Sequence, residues 1–281
     1  RNMNPLKVTT RYLRNFIKFM RKGGLVKVQI NQLARSSEFQ GKVVVVTGGA
    51  SGLGFSISKA FFNAGAIVVM IGRNKTHLQN AVNMFHSDRA ISYCWDFDDI
   101  QGGVEIIKLH LQAIVAKVGK IDVWINNAGL LQQNSSDMSK MFDDMIRINL
   151  KAVLYIGEEV CKYYKQNSLQ GKLINVSSMN AAQPSIHPYH ISKSAVNFVT
   201  VSLAKQYAVH QISVNGIAPG YIPTGINSTN VEENAYHELM GNKRYVLPEE
   251  VAELAVFLGS ERAKSIVGQT IFIDGGTTIH S

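Results

Sequence analysis

From Lys42 onward the chain alternates short apolar runs with longer segments whose apolar residues recur every three or four positions. Val43–Val46 is an unbroken β-branched run closed by Thr47-Gly48-Gly49, which predicts a strand buried on both faces. Leu53–Asn63 reads as a helix ended by Ala64-Gly65. The alternation continues with a strand at Ala66–Ile71, a helix at Lys75–Phe85 and a strand at Ile91–Cys94. A long amphipathic helix follows at about Ile100–Val118, then a strand at Ile121–Ile125 and a helical stretch at Met138–Tyr164. Lys172–Val176 and Ser213–Ile217 read as strands flanking a helix at Tyr189–Val209. Pro248–Leu258 opens with proline and two glutamates, a good helix start, and Gln269–Ile273 closes the series as a strand.

Strands separated by helices pair in parallel through right-handed crossovers. The pattern therefore predicts an α/β fold: a Rossmann-type, doubly wound sheet of about seven parallel strands with helices on both faces. Such sheets bind ligands beyond the carboxyl ends of their strands. The residues that follow each strand are thus the ones to read for chemistry.

Residues 1–40 stand apart from the domain expected over 41–281. Tyr12, Leu13, Phe16, Ile17 and Met20 lie at helical spacing, with Arg11, Arg14, Lys18 and Arg21 mostly between them. Gly23-Gly24 ends this basic amphipathic pattern, and Leu25–Ile30 is strand-like. The whole chain of 281 residues carries a net charge of +9. Nine Lys or Arg against the single acid Glu38 place nearly all of it in this extension, which gives little support to nucleic-acid binding by the main domain. Three roles stay open for the extension: docking on the core or a second subunit, peripheral membrane contact, or a targeting presequence. Arg14 and Lys18 interrupt the apolar run and argue against a secretory signal. The two cysteines, Cys94 and Cys161, lie in no CxxC pair and beside no ligand set, as expected of free thiols in a reducing, cytoplasmic setting. Organelle targeting or a peripheral membrane location through residues 1–40 is the alternative.

Thr47-Gly48-Gly49-Ala50-Ser51-Gly52-Leu53-Gly54 joins the first strand to the first helix. Glycines let a backbone turn tightly against a pyrophosphate, and the helix start offers unpaired N–H groups and a positive dipole end. The spacing is GxxxGxG rather than the GxGxxG of the common dinucleotide fingerprint. The loop resembles the cofactor loop of the short-chain dehydrogenase/reductase family, and further matches follow in that family's order. These are Asn126-Asn127-Ala128-Gly129 after the fourth strand, Asn149, Ser177-Ser178 after the fifth, Tyr189-xxx-Lys193, Pro219-Gly220-Tyr221-Ile222-Pro223-Thr224, and Asp274-Gly275-Gly276. The resemblance spans residues 40–276.

It implies a cofactor site built from Gly48, Ser51, Gly52, Leu53 and Gly54, with Asn127, Ala128 and Gly129. Asp96 and Phe97 would meet the adenine. Tyr189, Lys193, Pro219, Gly220, Ile222 and Thr224 would meet the nicotinamide half. The second strand ends Gly72-Arg73-Asn74, without the acid that would bond a ribose 2′-hydroxyl and repel a 2′-phosphate. Arg73 suits a phosphate. NADP(H) is the expected cofactor, with NAD(H) the alternative.

Tyr189 and Lys193, four apart on one helix, share a face. An ammonium near a phenol lowers its pKa and fits it for acid–base work. The expected reaction is hydride transfer between NADP(H) and a carbonyl or alcohol substrate of sugar, polyol or 3-oxoacyl type. Ser178 would polarise the substrate oxygen, Tyr189 would protonate it, and Lys193 would hold the ribose. By resemblance, Asn149 would hold a relay water. The family places its serine about 13 residues before the tyrosine, whereas Ser178 stands 11 and Ser177 12 before it. The order of the pair favours Ser178, with Ser177 left open.

His187 and His190 flank Tyr189 with no carboxylate at ligand spacing, so no metal is expected and both read as pocket-lining or exposed. Asp143-Asp144 and Glu158-Glu159 read as solvated. The acidic segment between Ile222 and Arg244 resembles a substrate lid. The resemblance implies a homotetramer, or a dimer. The competing reading is a dinucleotide-binding sensor or structural protein without turnover.

Overall fold

The computed structural model describes residues 37–131, 137–223 and 235–280, together with Ile17. Seven strands form one parallel sheet: β1 (Val43–Thr47), β2 (Ile67–Gly72), β3 (Ala90–Cys94), β4 (Val123–Asn126), β5 (Lys172–Val176), β6 (Ser213–Pro219) and β7 (Thr270–Ile273). Their order is β3-β2-β1-β4-β5-β6-β7. The order reverses between β1 and β4, which pair in register Val44–Val123 to Val46–Ile125.

The helices are α1 (Gly52–Asn63), α2 (Lys75–Asn83), α3 (Val104–Val118), α4 (Met138–Ile146), α5 (Ala152–Gln166), α6 (Pro188–Tyr207) and α7 (Pro248–Gly259). Successive strand side chains point to opposite faces, so each β-branched run feeds two cores. Val44, Val46, Val68 and Met70 pack with Ile57, Phe61 and Val251 of α1 and α7. Val43, Val45, Val69 and Ile71 pack on the other face with Ile107, Ile156 and Val196 of α3, α5 and α6. This is the doubly wound sheet that the apolar pattern predicts.

Four details depart from the pattern. Gly103, with φ of 87°, breaks the helix expected from Ile100; a 3-10 turn, Phe97–Gly102, precedes α3. The helical stretch from Met138 is interrupted by a π-helical turn at Arg147–Lys151. The helix from Lys75 ends at Asn83 rather than Phe85. Residues 37–40, counted with the extension on sequence, pack on the domain: Phe39 is buried with its ring 4.9 Å from that of Phe61, and Glu38 pairs with Arg262 at 2.8 Å. The amphipathic pattern of residues 1–36 lies, apart from Ile17, outside the described residues.

Phe61 is fully buried where α1 meets α7, under Phe39. Phe61→Ala should cost about 3–5 kcal/mol, read as a lower urea midpoint with an unchanged denaturant slope. A loss below about 1 kcal/mol would show that this face repacks and is not a fixed core.

Candidate active site

At the reversal point, Thr47 ends β1 and Asn127 follows β4. The Thr47 hydroxyl donates to the Ile125 carbonyl at 3.2 Å and accepts the N–H groups of Asn127 and Ala128, each at 2.9 Å. The Asn127 side-chain amide donates to the Thr47 carbonyl at 2.8 Å. These bonds seat Asn127-Ala128-Gly129 against the glycine turn. Gly48 adopts φ of 65° and Gly52 φ of 50°, which side chains rarely tolerate. A Cβ on Gly54 would strike the Gly48 carbonyl oxygen and lie 2.5 Å from the Asn127 amide nitrogen. Ser51 caps α1 in extended backbone with no side-chain bond to the helix N–H groups. The turn is thus a glycine cradle facing an open helix end.

Beside it lies a cavity of about 690 Å³. Gly48, Ser51, Leu53 and Gly54 form one wall, Asn127, Ala128 and Gly129 another, and Arg73, Asp96 and Phe97 a third. Ten of the residues singled out in the sequence therefore meet at one cavity. Gly52 does not line it; its part is the positive φ that starts α1. Asp96 is half-committed elsewhere, since its carboxylate accepts the Asp98 N–H at 3.1 Å and caps the 3-10 turn. The glycine cradle, the helix end and the size of the cavity suit the pyrophosphate and adenosine of a dinucleotide.

Sequence reasoning missed the far wall. There Lys140 and Arg147 each meet the Asp144 carboxylate at 2.7 Å, and Arg147 meets Asp98 at 3.1 Å. Asp144 is buried rather than solvated, and the hydrogen bonds from Lys140 and Arg147 hold its carboxyl below the usual range. Glu159, also expected in solvent, is buried and bonded to Lys162 at 2.7 Å.

Lys193 and Tyr189 lie on the first turns of α6, beyond the ends of β4 and β5. The Lys193 ammonium is buried, donates to the Val176 carbonyl at 2.8 Å, and sits 5.8 Å from the centre of the Tyr189 ring. Burial pulls the lysine down to about 8. Burial also pushes the Tyr189 phenol above its ordinary value, partly offset by a hydrogen bond from Ser178. The lowering of the phenol expected from the nearby ammonium is not the net result in the chain alone: desolvation dominates, and the opposing effect comes from Ser178. Ser177 instead donates to the Lys193 carbonyl at 3.1 Å. Of the two serines, Ser178 is the one at the phenol. The loop between them stays short by winding into a 3-10 turn, Met179–Ala182, capped by Ser178 through the Asn180 N–H at 3.2 Å.

Asn149 sits in the π-helical turn and is fully buried. Its amide accepts the Leu130 N–H at 2.7 Å and donates to the Leu130 carbonyl at 2.8 Å and to Ser192 at 3.2 Å. The side chain is therefore a clamp between the β4 loop and α6. Pro219 ends β6, and Gly220 and Ile222 follow it, with the Gly220 N–H bonded to the Ile273 carbonyl at 3.0 Å. Thr224 and the acidic part of the expected lid, residues 224–234, lie outside the described residues. Among the described residues no group of three His, Cys, Asp or Glu is placed to hold a metal, and no helix is long and apolar enough to cross a membrane.

This sheet, with a glycine cradle at its reversal point and a half-buried Tyr189 beside the buried Lys193, defines a dinucleotide-dependent oxidoreductase. The family model for short chain dehydrogenases matches residues 42–235. The chain is 32% identical over 247 residues to 2-dehydro-3-deoxy-D-gluconate 5-dehydrogenase of Dickeya dadantii, covering 84% of this chain and 95% of that protein. A gluconate 5-dehydrogenase of Burkholderia cenocepacia, solved in complex with NADP and tartrate, superposes with a TM-score of 0.76 at 27% identity, over 89% of this chain and 99% of that one. The 3-ketoacyl-(acyl-carrier-protein) reductase of Brucella melitensis, complexed with NADH, superposes with a TM-score of 0.74 at 27% identity, over 85% and 99%. The protein belongs to the short-chain dehydrogenase family and is an oxidoreductase of CH–OH and C=O groups that uses a nicotinamide dinucleotide.

The depressed Lys193 makes a pH prediction for the chain without dinucleotide. Between about pH 8 and the ordinary lysine value of about 10.4, the unfolded chain holds a proton that the folded chain has shed. Stability then rises with pH across that window, and below it the fold bears the full cost of the buried charge. Lys193→Met titrates nothing there. Its stability relative to wild type should be most favourable at pH 7 and should decline towards pH 10, in urea midpoints. A difference independent of pH would show that Lys193 is not desolvated.

Proposed function

We propose that the protein is an NADP(H)-preferring reductase and dehydrogenase of small hydroxylated carbonyl compounds, with sugar acids and polyols ahead of 3-oxoacyl thioesters. The observation that carries the reading is the Ser178–Tyr189–Lys193 group, its lysine and serine buried and its tyrosine half-buried, beside the glycine-cradle cavity. Support for the sugar-acid class comes from the relatives named as gluconate and deoxygluconate dehydrogenases.

Gly48, Ser51, Leu53 and Gly54 would hold the pyrophosphate, and Lys193 the nicotinamide ribose. When bound, the nicotinamide supplies or accepts the hydride. The rest falls to the chain. Ser178 donates a hydrogen bond to the substrate oxygen as negative charge grows there. Tyr189 gives that oxygen its phenolic proton, and the carbonyl becomes an alcohol. A phenol held above its ordinary value stays protonated at neutral pH and is ready as the acid of reduction. In the reverse direction it must accept a proton, which the Ser178 bond and the Lys193 charge assist. Asn149 serves by clamping Leu130 to Ser192, which fixes the floor between cofactor loop and catalytic helix; a relay water at this residue is kept from the family resemblance.

For the 2′-phosphate, Arg73 lines the cavity and makes no ion pair among the described residues, whereas Lys140 and Arg147 are matched with carboxylates. A free guanidinium at the end of β2 favours NADP(H) over NAD(H). We also propose a homo-oligomer, a tetramer by family likeness, in the cytoplasm. Phe198 at 77% and Phe142 at 42% exposure support a subunit contact. The domain proper is taken to begin near Phe39.

An NADPH-oxidation screen over keto-gluconates, ketoses, diketones and 3-oxoacyl thioesters tests the reading. Tyr189→Phe should lower kcat by about 100-fold or more while dinucleotide binding persists; equal turnover would overturn the assignment. Arg73→Ala should weaken NADPH binding about 10- to 100-fold, the worth of charge-assisted hydrogen bonds, and leave NADH binding unchanged. Equal losses for both dinucleotides would refute the NADP(H) preference.

A further inference from the structure

The first residue ahead of α6 is His187, and its ring, not a hydroxyl or carboxylate, caps the helix. The Nδ1 atom accepts the Tyr189 N–H at 3.2 Å. Pro188 at the first helical position has no N–H to offer, so the Tyr189 N–H is the first free donor of the helix. The His187 backbone is itself held from below, since its N–H donates to the Ser185 hydroxyl at 3.1 Å and its carbonyl accepts the Ile191 N–H at 3.3 Å. We propose that His187 is a positioning residue for Tyr189, acting only as the neutral imidazole and releasing the first turn of α6 when protonated. The proposal rests on the reading of Tyr189 as the proton donor.

The physical reason is a conflict of donors. A neutral ring that accepts at Nδ1 carries its proton on Nε2. A protonated ring carries a proton on both nitrogens, so Nδ1–H would face the Tyr189 N–H with no acceptor between them. The new charge would also sit at the positive end of the helix dipole. Both effects open the cap, and the residue whose backbone it holds bears the reacting phenol. Misplacement of a reacting group by about 1 Å is enough to cost about 100-fold in rate.

The titratable groups around His187 are few. Tyr189, His190 and Lys193 lie on its own helix, with the His190 ring 6.1 Å away and its Nδ1 3.2 Å from the Gln183 carbonyl, while Lys193 is turned to the Val176 carbonyl. The turn Met179–Ala182 and the loop Gln183–Ile186 carry no titratable side chain. On α4 and the π-helical turn, which pack beside α6, Lys140, Asp144 and Arg147 are tied to one another at the cavity. Asp143 and Lys151 complete the charged set there, and no contact of any of the five with His187 is recorded among the described residues. His280 ends the turn that packs on Met179–Ala182; its side chain is outside the described ones.

The test compares wild type with His187→Asn, which caps without titrating, His187→Ala, which does not cap, and His190→Asn, which removes the neighbouring imidazole. Amide exchange of the peptide over residues 187–193 is followed from pH 5 to pH 8, corrected for the intrinsic pH dependence of exchange. Wild type should lose about fivefold or more of its protection on acidification, the worth of one helix cap. His187→Asn should keep its protection throughout, His187→Ala should lack it throughout, and His190→Asn should follow wild type. The same four proteins are assayed for NADPH-dependent reduction of 2,3-butanedione and 5-keto-D-gluconate. The acid limb of kcat/KM in wild type should vanish in His187→Asn and persist in His190→Asn. Protection that ignores pH in wild type, or an acid loss kept in His187→Asn, would overturn the proposal. If wild type reduces neither compound, the assigned substrate class fails, and the exchange measurement still decides the cap.

Discussion

One threonine hydroxyl closes the join on which the rest of this molecule depends. Thr47 spends its proton on the Ile125 carbonyl and both acceptor positions on the N–H groups of Asn127 and Ala128. The Asn127 N–H also reaches the Ile125 carbonyl at 3.1 Å, but only the hydroxyl gathers both N–H groups, and it thereby fixes how the chain leaves β4. It does so where the strand order reverses and the chain leaves β1 and β4 towards opposite faces of the sheet. The glycine turn can then approach the β4 loop so closely that Gly54 has no room for a side chain. The cradle and the loop that faces it are one hydrogen-bonded unit.

The second half of the site is organised by burial. Lys193 is held from the Val176 carbonyl at the end of β5, and Asn149 ties the β4 loop to the same helix through Leu130 and Ser192. Two strand ends, those of β4 and β5, thus converge on α6. Desolvation pushes the lysine and the phenol in opposite directions, each towards its neutral form. A bound dinucleotide brings hydroxyls and charge into this dry space, and the chain already holds the groups that would answer them. The π-helical turn at Arg147–Lys151 belongs to the same design. It breaks the regular ladder where Asn149 must face inward, a frequent use of such turns at functional sites.

The alternation of apolar runs carried the fold, because the central strands of a parallel sheet are buried on both faces and must be largely apolar along their length. The motifs carried the site for a similar reason: glycines at positive φ and a Tyr–Lys pair one helical turn apart are local demands, written in adjacent residues. What stayed illegible is what depends on how a side chain is finally oriented and covered, whether its partner is a helical turn away or far along the chain. Asp144 reads as a surface acid until Arg147 and Lys140 are seen to bury it. Arg147 drew no notice in the sequence, since one of its partners, Asp98, lies 49 positions earlier. The order of the serine pair favours Ser178, and the folded chain adds the contacts: Ser178 bonds the phenol while Ser177 turns to the Lys193 carbonyl. Gly103 is an ordinary glycine in a helical pattern until its φ shows that it splits a turn from α3. The order of motifs likewise gives the chemistry of the reaction, but pocket shape depends on a segment, 224–234, whose residues name no substrate.

The most direct test of this account is a crystal structure of the protein with NADP bound. The account predicts the pyrophosphate on the N–H groups of Gly52–Gly54, the 2′-phosphate at Arg73, and the reactive carbon of the nicotinamide ring within a substrate's width of the Tyr189 hydroxyl. A dinucleotide seated in the cavity with its nicotinamide turned away from Tyr189 and Lys193 would contradict it.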